Sequence, residues 1–175
     1  FSPDVLETVA GAFRDFGFVP VLGGAGEAPE VPDLTRPLQP GDAVGVNLVT
    51  GDLSLGGMGT VTHVDGDRVY AFGHPFYNLG PTEFPMTRAY VHTLLPSLFS
   101  SMKISTTGEV IGTFQQDRAT AIAGTLGPGP ALIPIKVSLE SDRGLKKQFG
   151  FEVVNDHLLT PLLTYLSILN TLGSY

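Results

Sequence analysis

Glycine and proline are frequent enough in this chain to set the kind of fold it can adopt. The 175 residues include 22 Gly and 14 Pro. Glycine readily occupies positive-φ turn positions and proline interrupts helices, so this density favours frequent turns and short strands over long helices. A chain of this length is expected to form one domain, or one domain plus an arm, with a full core.

The clearest local pattern lies between Gly59 and Phe76, which reads GTVTHVDGDRVYAFGHPF. Residues 60–64 alternate in the way typical of a strand. The Asp-Gly-Asp sequence at 65–67 predicts a tight hairpin turn, because Asp and Gly tolerate the positive φ that such turns need. Residues 69–72 are the predicted return strand.

A histidine follows this hairpin directly. The return strand ends at Gly73, and His74 and Pro75 come next. Glycine before the histidine and proline after it restrict the backbone, so we expect His74 to be held in a fixed place.

The rest of the chain after residue 40 is mostly β in pattern. Asn78–Pro85 is predicted as a loop, and Met86–Ser101 is ambiguous, because Tyr90 to Leu95 has helical spacing that Pro96 interrupts. The sequence therefore predicts a mainly β fold, a closed or nearly closed antiparallel β-barrel with an N-terminal and a C-terminal helix. The further predicted strands cover 43–49, 110–114, 119–126, 132–140 and 148–154.

Three regions follow from these patterns. Residues 1–18 are predicted as an amphipathic helix, because Ser2-Pro3-Asp4 is typical of a helix start and apolar residues then recur at helical spacing. Residues 19–40 are Gly/Pro-rich and predict an arm. Residues 41–175 form the β domain, which ends in a helix near Leu158–Leu172.

Composition excludes several classes of function. The net charge of −7 disfavours a nucleic-acid binder, and the absence of cysteine excludes disulfides and thiolate metal sites. The apolar run near the C-terminus is too short and polar to span a membrane.

The chain begins with Phe1 rather than Met, so we expect a processed product or part of something longer. The histidines lack the spacing of metal ligands, so neither a metal nor a cofactor is predicted; they are His63, His74, His92 and His157.

His74 is the histidine with a candidate chemical role. A histidine base needs a serine nucleophile and an orienting acid, yet no serine stands between glycines. Asp117 and Asp156 are the candidate acids; the alternatives are a pair with Arg118 or a turn role for Asp117, and a helix N-cap for Asp156. Four residues near the histidine are candidates for lining a groove with it: Gly73, Pro75, Glu83 and Arg88.

Taken in order, the segments between about residues 40 and 159 resemble the SpoIVB peptidase family, the stage IV sporulation protein B type of serine endopeptidase. The resemblance implies a chymotrypsin-like β-barrel, an extracytoplasmic location, and a triad in the order His, Asp, Ser. His74 matches the base and Asp156 the acid. The family's Gly-x-Ser-Gly nucleophile setting is missing from residues 160–175. The matching segments are 40–45, 59–62, 71–75, 108–112, 121–126 and 153–159.

Three functions are compatible with this sequence. The first is a SpoIVB-peptidase-like domain without its nucleophile, which binds a peptide or a neighbouring protein. The second is an active serine endopeptidase with His74 as general base. The third is a structural subunit of a bacterial envelope complex, docked by its helices and arm. For the second, the candidate nucleophiles are Ser97, Ser100, Ser101, Ser174, or a serine beyond Tyr175.

Overall fold

The structure is a computed structural model, and it describes residues 36–173 except 97, 99, 100, 142, 143 and 145, together with Glu7, Ala10 and Gly11. Those three N-terminal residues are helical. The remainder of the predicted helix over residues 1–18, and the arm up to residue 35, lie outside the described residues.

The described residues form eight strands and one long helix. The seven strand pairs with a defined register are antiparallel: β1–β4, β1–β8, β2–β3, β3–β6, β4–β5, β5–β6 and β7–β8. The mainly antiparallel β architecture and the C-terminal helix that the sequence predicts are therefore confirmed. The elements are β1 (Ala43–Gly51), β2 (Leu55–Asp65), β3 (Arg68–Ala71), β4 (Gly80–Leu95), β5 (Met102–Arg118), β6 (Ala121–Leu126), β7 (Leu132–Glu140), β8 (Lys146–Val154) and α1 (Leu159–Gly173).

The described chain divides into two compact units. Residues 36–47 and 56–130 form the first, here called the ring unit, and residues 48–55 and 131–173 form the second, the helical unit. The division falls within β1, so that its first residues belong to the ring unit and its last to the helical unit.

In the ring unit, six strands follow one another in the order β2-β3-β6-β5-β4-β1, and β1 pairs in turn with β2. This last pairing closes the strands into a ring. Apolar side chains from every strand are buried there, which supplies the main driving force for closure. They include Val44, Val46, Val61, Val69, Ala71, Phe84, Met86, Phe114 and Ile122.

In the helical unit, β8 pairs on one side with the end of β1, where Val49 lies opposite Val153, and on the other side with β7. Helix α1 contacts β8. Its leucines Leu159, Leu163 and Leu166 are buried at helical spacing, as expected of a helix that covers a sheet face.

The structure contradicts one local prediction and resolves one ambiguous segment. The predicted loop over 78–85 becomes strand at Gly80. The segment around Tyr90, which the sequence left ambiguous, also lies in β4, which continues to Leu95. β4 pairs with β5 from Gly80 to Leu95. This long pairing satisfies the backbone of both strands and outweighs the local periodicity.

Candidate functional site

The His74 loop, defined as residues 72–79, joins β3 to β4 in the ring unit. Its first two residues, Phe72 and Gly73, have φ angles of 75° and 73°. Glycine adopts this left-handed region readily, but a bulky residue such as phenylalanine is a genuine outlier there. Such a conformation costs about 1–3 kcal/mol and persists only where the surroundings impose it.

The contacts of Phe72 show what imposes this conformation. Its N–H donates to the Thr60 carbonyl at 2.9 Å. Its ring lies 5.7 Å from the ring of Phe76 and 6.4 Å from that of Phe114, centroid to centroid. The ring also occupies the space that a Cβ on Gly59 would need. The backbone and the core together therefore hold the residue that precedes Gly73 and His74.

His74 itself is exposed, and its ring is fixed by a local hydrogen bond. Nδ1 lies 2.7 Å from the carbonyl oxygen of Pro75. A carbonyl oxygen only accepts, so Nδ1 carries the proton and donates it. In neutral His74 this leaves Nε2 unprotonated, the form in which a histidine can accept a proton. The ring also lies 5.6 Å from that of Phe72.

Asp117 anchors the rest of the loop. Its side chain is fully buried. It accepts the backbone N–H groups of Phe76 at 2.8 Å, Tyr77 at 2.7 Å and Leu79 at 3.3 Å. A carboxylate with several backbone donors is a strong, charge-assisted anchor.

The sheet register explains how Asp117 reaches a loop some 40 residues away. Ile122 in β6 pairs with Ala71, the last residue of β3, and also with Asp117 in β5. Asp117 thus lies across β6 from the strand end that leads into the loop. Its neighbour Arg118 donates through Nε to Gln116 at 2.8 Å. The sequence offered Asp117 as an acid partner for His74, with a turn role or a pair with Arg118 as the alternatives. No local signal indicated that Asp117 anchors the backbone of this loop.

Tyr77 is the titratable group most affected by this arrangement. Burial raises the pKa of its phenol well above the ordinary value, and the nearby negative charge of Asp117 raises it further. Tyr77 therefore stays neutral far into the alkaline range.

Asp156, the predicted acid of a triad, caps α1. Its Oδ1 accepts the N–H groups of Leu158 at 2.9 Å and Leu159 at 2.8 Å, and its own N–H donates to the Thr160 hydroxyl at 2.8 Å. This is the N-cap geometry that the sequence offered as the alternative. Asp156 belongs to the helical unit and His74 to the ring unit, and the triad role of Asp156 stays a prediction.

The groove candidates differ in their surroundings. Gly73 and Glu83 are exposed, and Pro75 is half-buried. The guanidinium of Arg88 donates to the Arg36 carbonyl at 2.5 Å, and its Nε lies 3.9 Å from Glu109 Oε1. Arg88 is thus engaged within the ring unit, and a groove lined by these residues stays a prediction.

The serine nucleophile of an active peptidase stays a prediction. Ser97, Ser100 and Ser174 lie outside the described residues, and Ser101 is exposed. Among the residues that the structure describes, no hydrogen bond joins His74 to a serine.

In the described part of the chain, no three His, Asp or Glu side chains cluster as metal ligands would. Nor does any described helix have the length and apolar character needed to cross a bilayer.

Comparisons with known proteins gave no relative for this chain. No protein-family model, no curated protein and no solved structure matches it.

Proposed function

We propose that the ring unit is a SpoIVB-peptidase-like module that binds an extended peptide, or a segment of a neighbouring protein, at the His74 loop. One observation carries this proposal: an exposed histidine follows a phenylalanine held at positive φ, and a fully buried carboxylate anchors the residues after it. Local strain and buried polar anchors are typical of functional sites. A surface histidine without a function needs neither.

The architecture of the ring unit supports the family assignment within this proposal. Six antiparallel strands that close into a ring are compatible with the chymotrypsin-like barrel that the resemblance implies. The extracytoplasmic location belongs to the same proposal and depends on the same resemblance.

A serine endopeptidase is the second candidate, and the tautomer of His74 favours it. Because Nδ1 donates to the Pro75 carbonyl, Nε2 of the neutral ring can accept a proton from a serine hydroxyl. In this reading a backbone carbonyl orients the histidine, a task that falls to an aspartate in the usual triad. The nucleophile would be Ser97, Ser100, Ser101, Ser174 or a serine beyond Tyr175.

A fluorophosphonate probe separates the two candidates, because it labels only an activated serine. The binding module predicts no labelling of the wild-type chain. Labelling that is lost in His74→Ala and kept in His92→Ala would establish the endopeptidase instead. His92 is a matched control, since it is also exposed in the ring unit, where its Nε2 lies 2.6 Å from the Thr106 hydroxyl.

Binding is measured with fluorescein-labelled unfolded casein as the extended-chain probe, by fluorescence polarisation. We expect His74→Ala to weaken binding by about tenfold, the effect of losing one well-placed contact. His92→Ala should leave binding unchanged, and circular dichroism checks that both variants are folded. Equal affinity of wild type and His74→Ala, or no binding at all, would refute a peptide site at this loop.

A further inference from the structure

Strand β7, in the helical unit, has one edge that no other described strand pairs with, here called its free edge. Among the described strands it pairs with β8 alone, and it ends the strand order of the sheet. A free edge exposes backbone N–H and C=O groups that can pair with another extended chain.

The pairing of Gly150 shows which groups of β7 face that free edge. The N–H of Gly150 donates to Asp52 Oδ2 at 2.7 Å, and its carbonyl accepts the N–H of Asp52 at 2.9 Å. Gly150 therefore directs its backbone away from β7, and its partner Lys136 forms a non-hydrogen-bonded pair with it.

Hydrogen-bonded and non-hydrogen-bonded pairs alternate along two antiparallel strands. The direction of Lys136 therefore fixes the direction in which the backbone groups of its neighbours in β7 point. Ile135 and Val137 direct their backbone groups to β8, whereas Lys136 and Ser138 direct theirs to the free edge. Pro134 lies two residues before Lys136, so its backbone also faces the free edge. Its lack of an N–H therefore removes no hydrogen bond to β8. It does remove a donor from the free edge, which leaves Lys136 to Glu140 as the part able to pair fully.

A pocket lies at the far end of this stretch. It has a volume of about 190 Å³ and is lined by Leu139, Glu140, Ser141 and Leu172. Small-molecule sites usually measure roughly 300–1,000 Å³. This pocket is smaller, and its size and its two leucines suit a single aliphatic side chain.

The charges along β7 add a second selective feature. Glu140 is already paired with Lys146, whose Nζ lies 2.7 Å from Glu140 Oε1. Lys136 is exposed and takes part in none of the ion pairs found among the described residues. An acidic side chain opposite Lys136 would be favoured, as for opposite charges on facing strands.

We propose that the helical unit binds an extended peptide, which adds to the free edge of β7 as a further strand along Lys136–Glu140. An aliphatic side chain of the peptide occupies the pocket beside Leu139. An acidic residue about three positions away lies opposite Lys136, on the other face of the added strand. This site goes beyond the His74 loop and shares no residue with it.

Hydrogen exchange followed by NMR tests the edge assignment in the wild-type chain. In the free protein, the amides of Lys136 and Ser138 should exchange quickly and those of Ile135 and Val137 slowly. Slow exchange of Lys136 and Ser138 in the dilute, free chain would mean that the edge is not open, and would overturn the proposal.

The ligand is sought in a displayed library of random nine-residue peptides, selected on the immobilised full chain. Peptides that add to β7 should be enriched in an aliphatic and an acidic residue at a fixed spacing. They should slow exchange at Lys136 and Ser138 by about tenfold or more, as newly formed strand hydrogen bonds do. Failure to enrich any peptide, or enrichment only of peptides that leave these amides unprotected, would overturn the proposal.

Two pairs of variants locate the binding of a selected peptide. Ser138→Pro removes a free-edge donor without removing a bond to β8, and Ser138→Ala keeps that donor. Leu172→Glu places a charge at the pocket. Its control is Leu158→Glu, just before α1 begins, because Leu158 is 51% exposed and Leu172 is 56% exposed. We expect Ser138→Pro and Leu172→Glu to weaken binding by about tenfold, and their controls to change it little.

The remaining outcomes separate this site from others. Selected peptides whose binding depends on His74 but not on Ser138 or Leu172 would contradict the β7 site. Peptides whose binding depends on Ser138 and Leu172 but not on His74 would support it, and the casein assay tests the His74 loop separately. If exchange at Lys136 and Ser138 slows as the chain is concentrated without peptide, the edge pairs with a second copy, and the proposed peptide occupant is wrong. Where Ser138→Pro is unfolded by circular dichroism, Leu172→Glu and the exchange data decide.

Discussion

The carboxylate of Asp117 is buried away from solvent, and three backbone N–H groups of the His74 loop donate to it. Without this acceptor, the backbone N–H groups of Phe76 and Tyr77 would lose their bonds to the carboxylate. Lost hydrogen bonds to a buried charged group cost free energy, so the Asp117 side chain contributes to the shape of this loop together with the packing of Phe72.

Asp117→Asn tests this anchor. Asparagine has nearly the same shape, but one acceptor oxygen becomes an amide group that can only donate, and it would face backbone donors. We expect the free energy of unfolding to fall by about 1–3 kcal/mol, measured by urea denaturation. Asp65→Asn, in the exposed turn of the β2–β3 hairpin, should change it by less than about 0.5 kcal/mol. Equal effects of the two substitutions would contradict the anchoring role.

The phenol of Tyr77 gives a prediction in the alkaline range. Its pKa in the folded protein is raised, first by burial and then by Asp117, above the ordinary value of 10.0. The unfolded chain therefore loses this proton first as pH rises. Stability associated with neutral Tyr77 is fully present below about pH 10 and is lost above it.

Tyr77→Phe isolates this contribution, because phenylalanine has no ionisable group. Urea denaturation at about pH 9 and about pH 11 should show a larger loss of stability in the wild type than in Tyr77→Phe. The same loss in both proteins would show that Tyr77 ionises as freely in the folded state as in the unfolded chain.

At the scale of elements, β2 and the His74 loop fit together because one residue of the strand has no side chain. A Cβ on Gly59 would overlap the ring of Phe72. Gly59→Ala should displace that ring and lower the free energy of unfolding by about 1–3 kcal/mol, the usual cost of overpacking. Near-UV circular dichroism should change as well.

Gly108→Ala, in β5 of the same unit, is the matched control. The atom nearest to its added Cβ would be the Arg88 carbonyl oxygen at 3.6 Å, an ordinary contact. We expect little change in stability there. A Gly59→Ala variant as stable as Gly108→Ala would mean that Phe72 is free to move, against its role in holding the loop.

Helix α1 depends on Asp156 at its N-terminus. Asp156→Ala removes the acceptor for the N–H groups of Leu158 and Leu159 and should cost about 0.5–2 kcal/mol in urea denaturation. Asp156→Asn keeps an acceptor oxygen and should cost less. If Asp156 were also the acid of a triad, Asp156→Asn would abolish fluorophosphonate labelling while leaving stability nearly intact.

At the scale of the whole molecule, some strands of the ring were predicted correctly from the sequence and others were not. The hairpin of β2 and β3 agrees with its pattern, because alternation and an Asp-Gly turn act within a few residues. The first half of β4 was predicted as a loop, because Pro81 and Pro85 are typical of loops when the segment is considered alone. Their place in the sheet depends on β5, whose pairing with β4 accommodates register shifts near both prolines.

The candidate site likewise has features that the sequence predicted and features that it did not. The sequence placed His74 after a strand end with glycine before it, since Gly-His-Pro restricts its own backbone. It did not identify the positive φ of Phe72, which arises from packing against Phe76 and Phe114. Nor did it identify the free edge of β7, because the strand that lies beside a given segment is not encoded within that segment.

The sequence by itself thus determined the mainly antiparallel β fold, the hairpin and the position of His74 after a strand end, since the patterns that predict them lie within short stretches of chain. It offered the N-cap role of Asp156 only as an alternative to an acid role. Only the tertiary structure decided that Asp117 anchors the His74 loop. That contact spans 41 residues and requires Ala71, Ile122 and Asp117 to align across three strands. Such an alignment is a property of the closed sheet, in which hydrogen bonding and burial select one register for all the strands together.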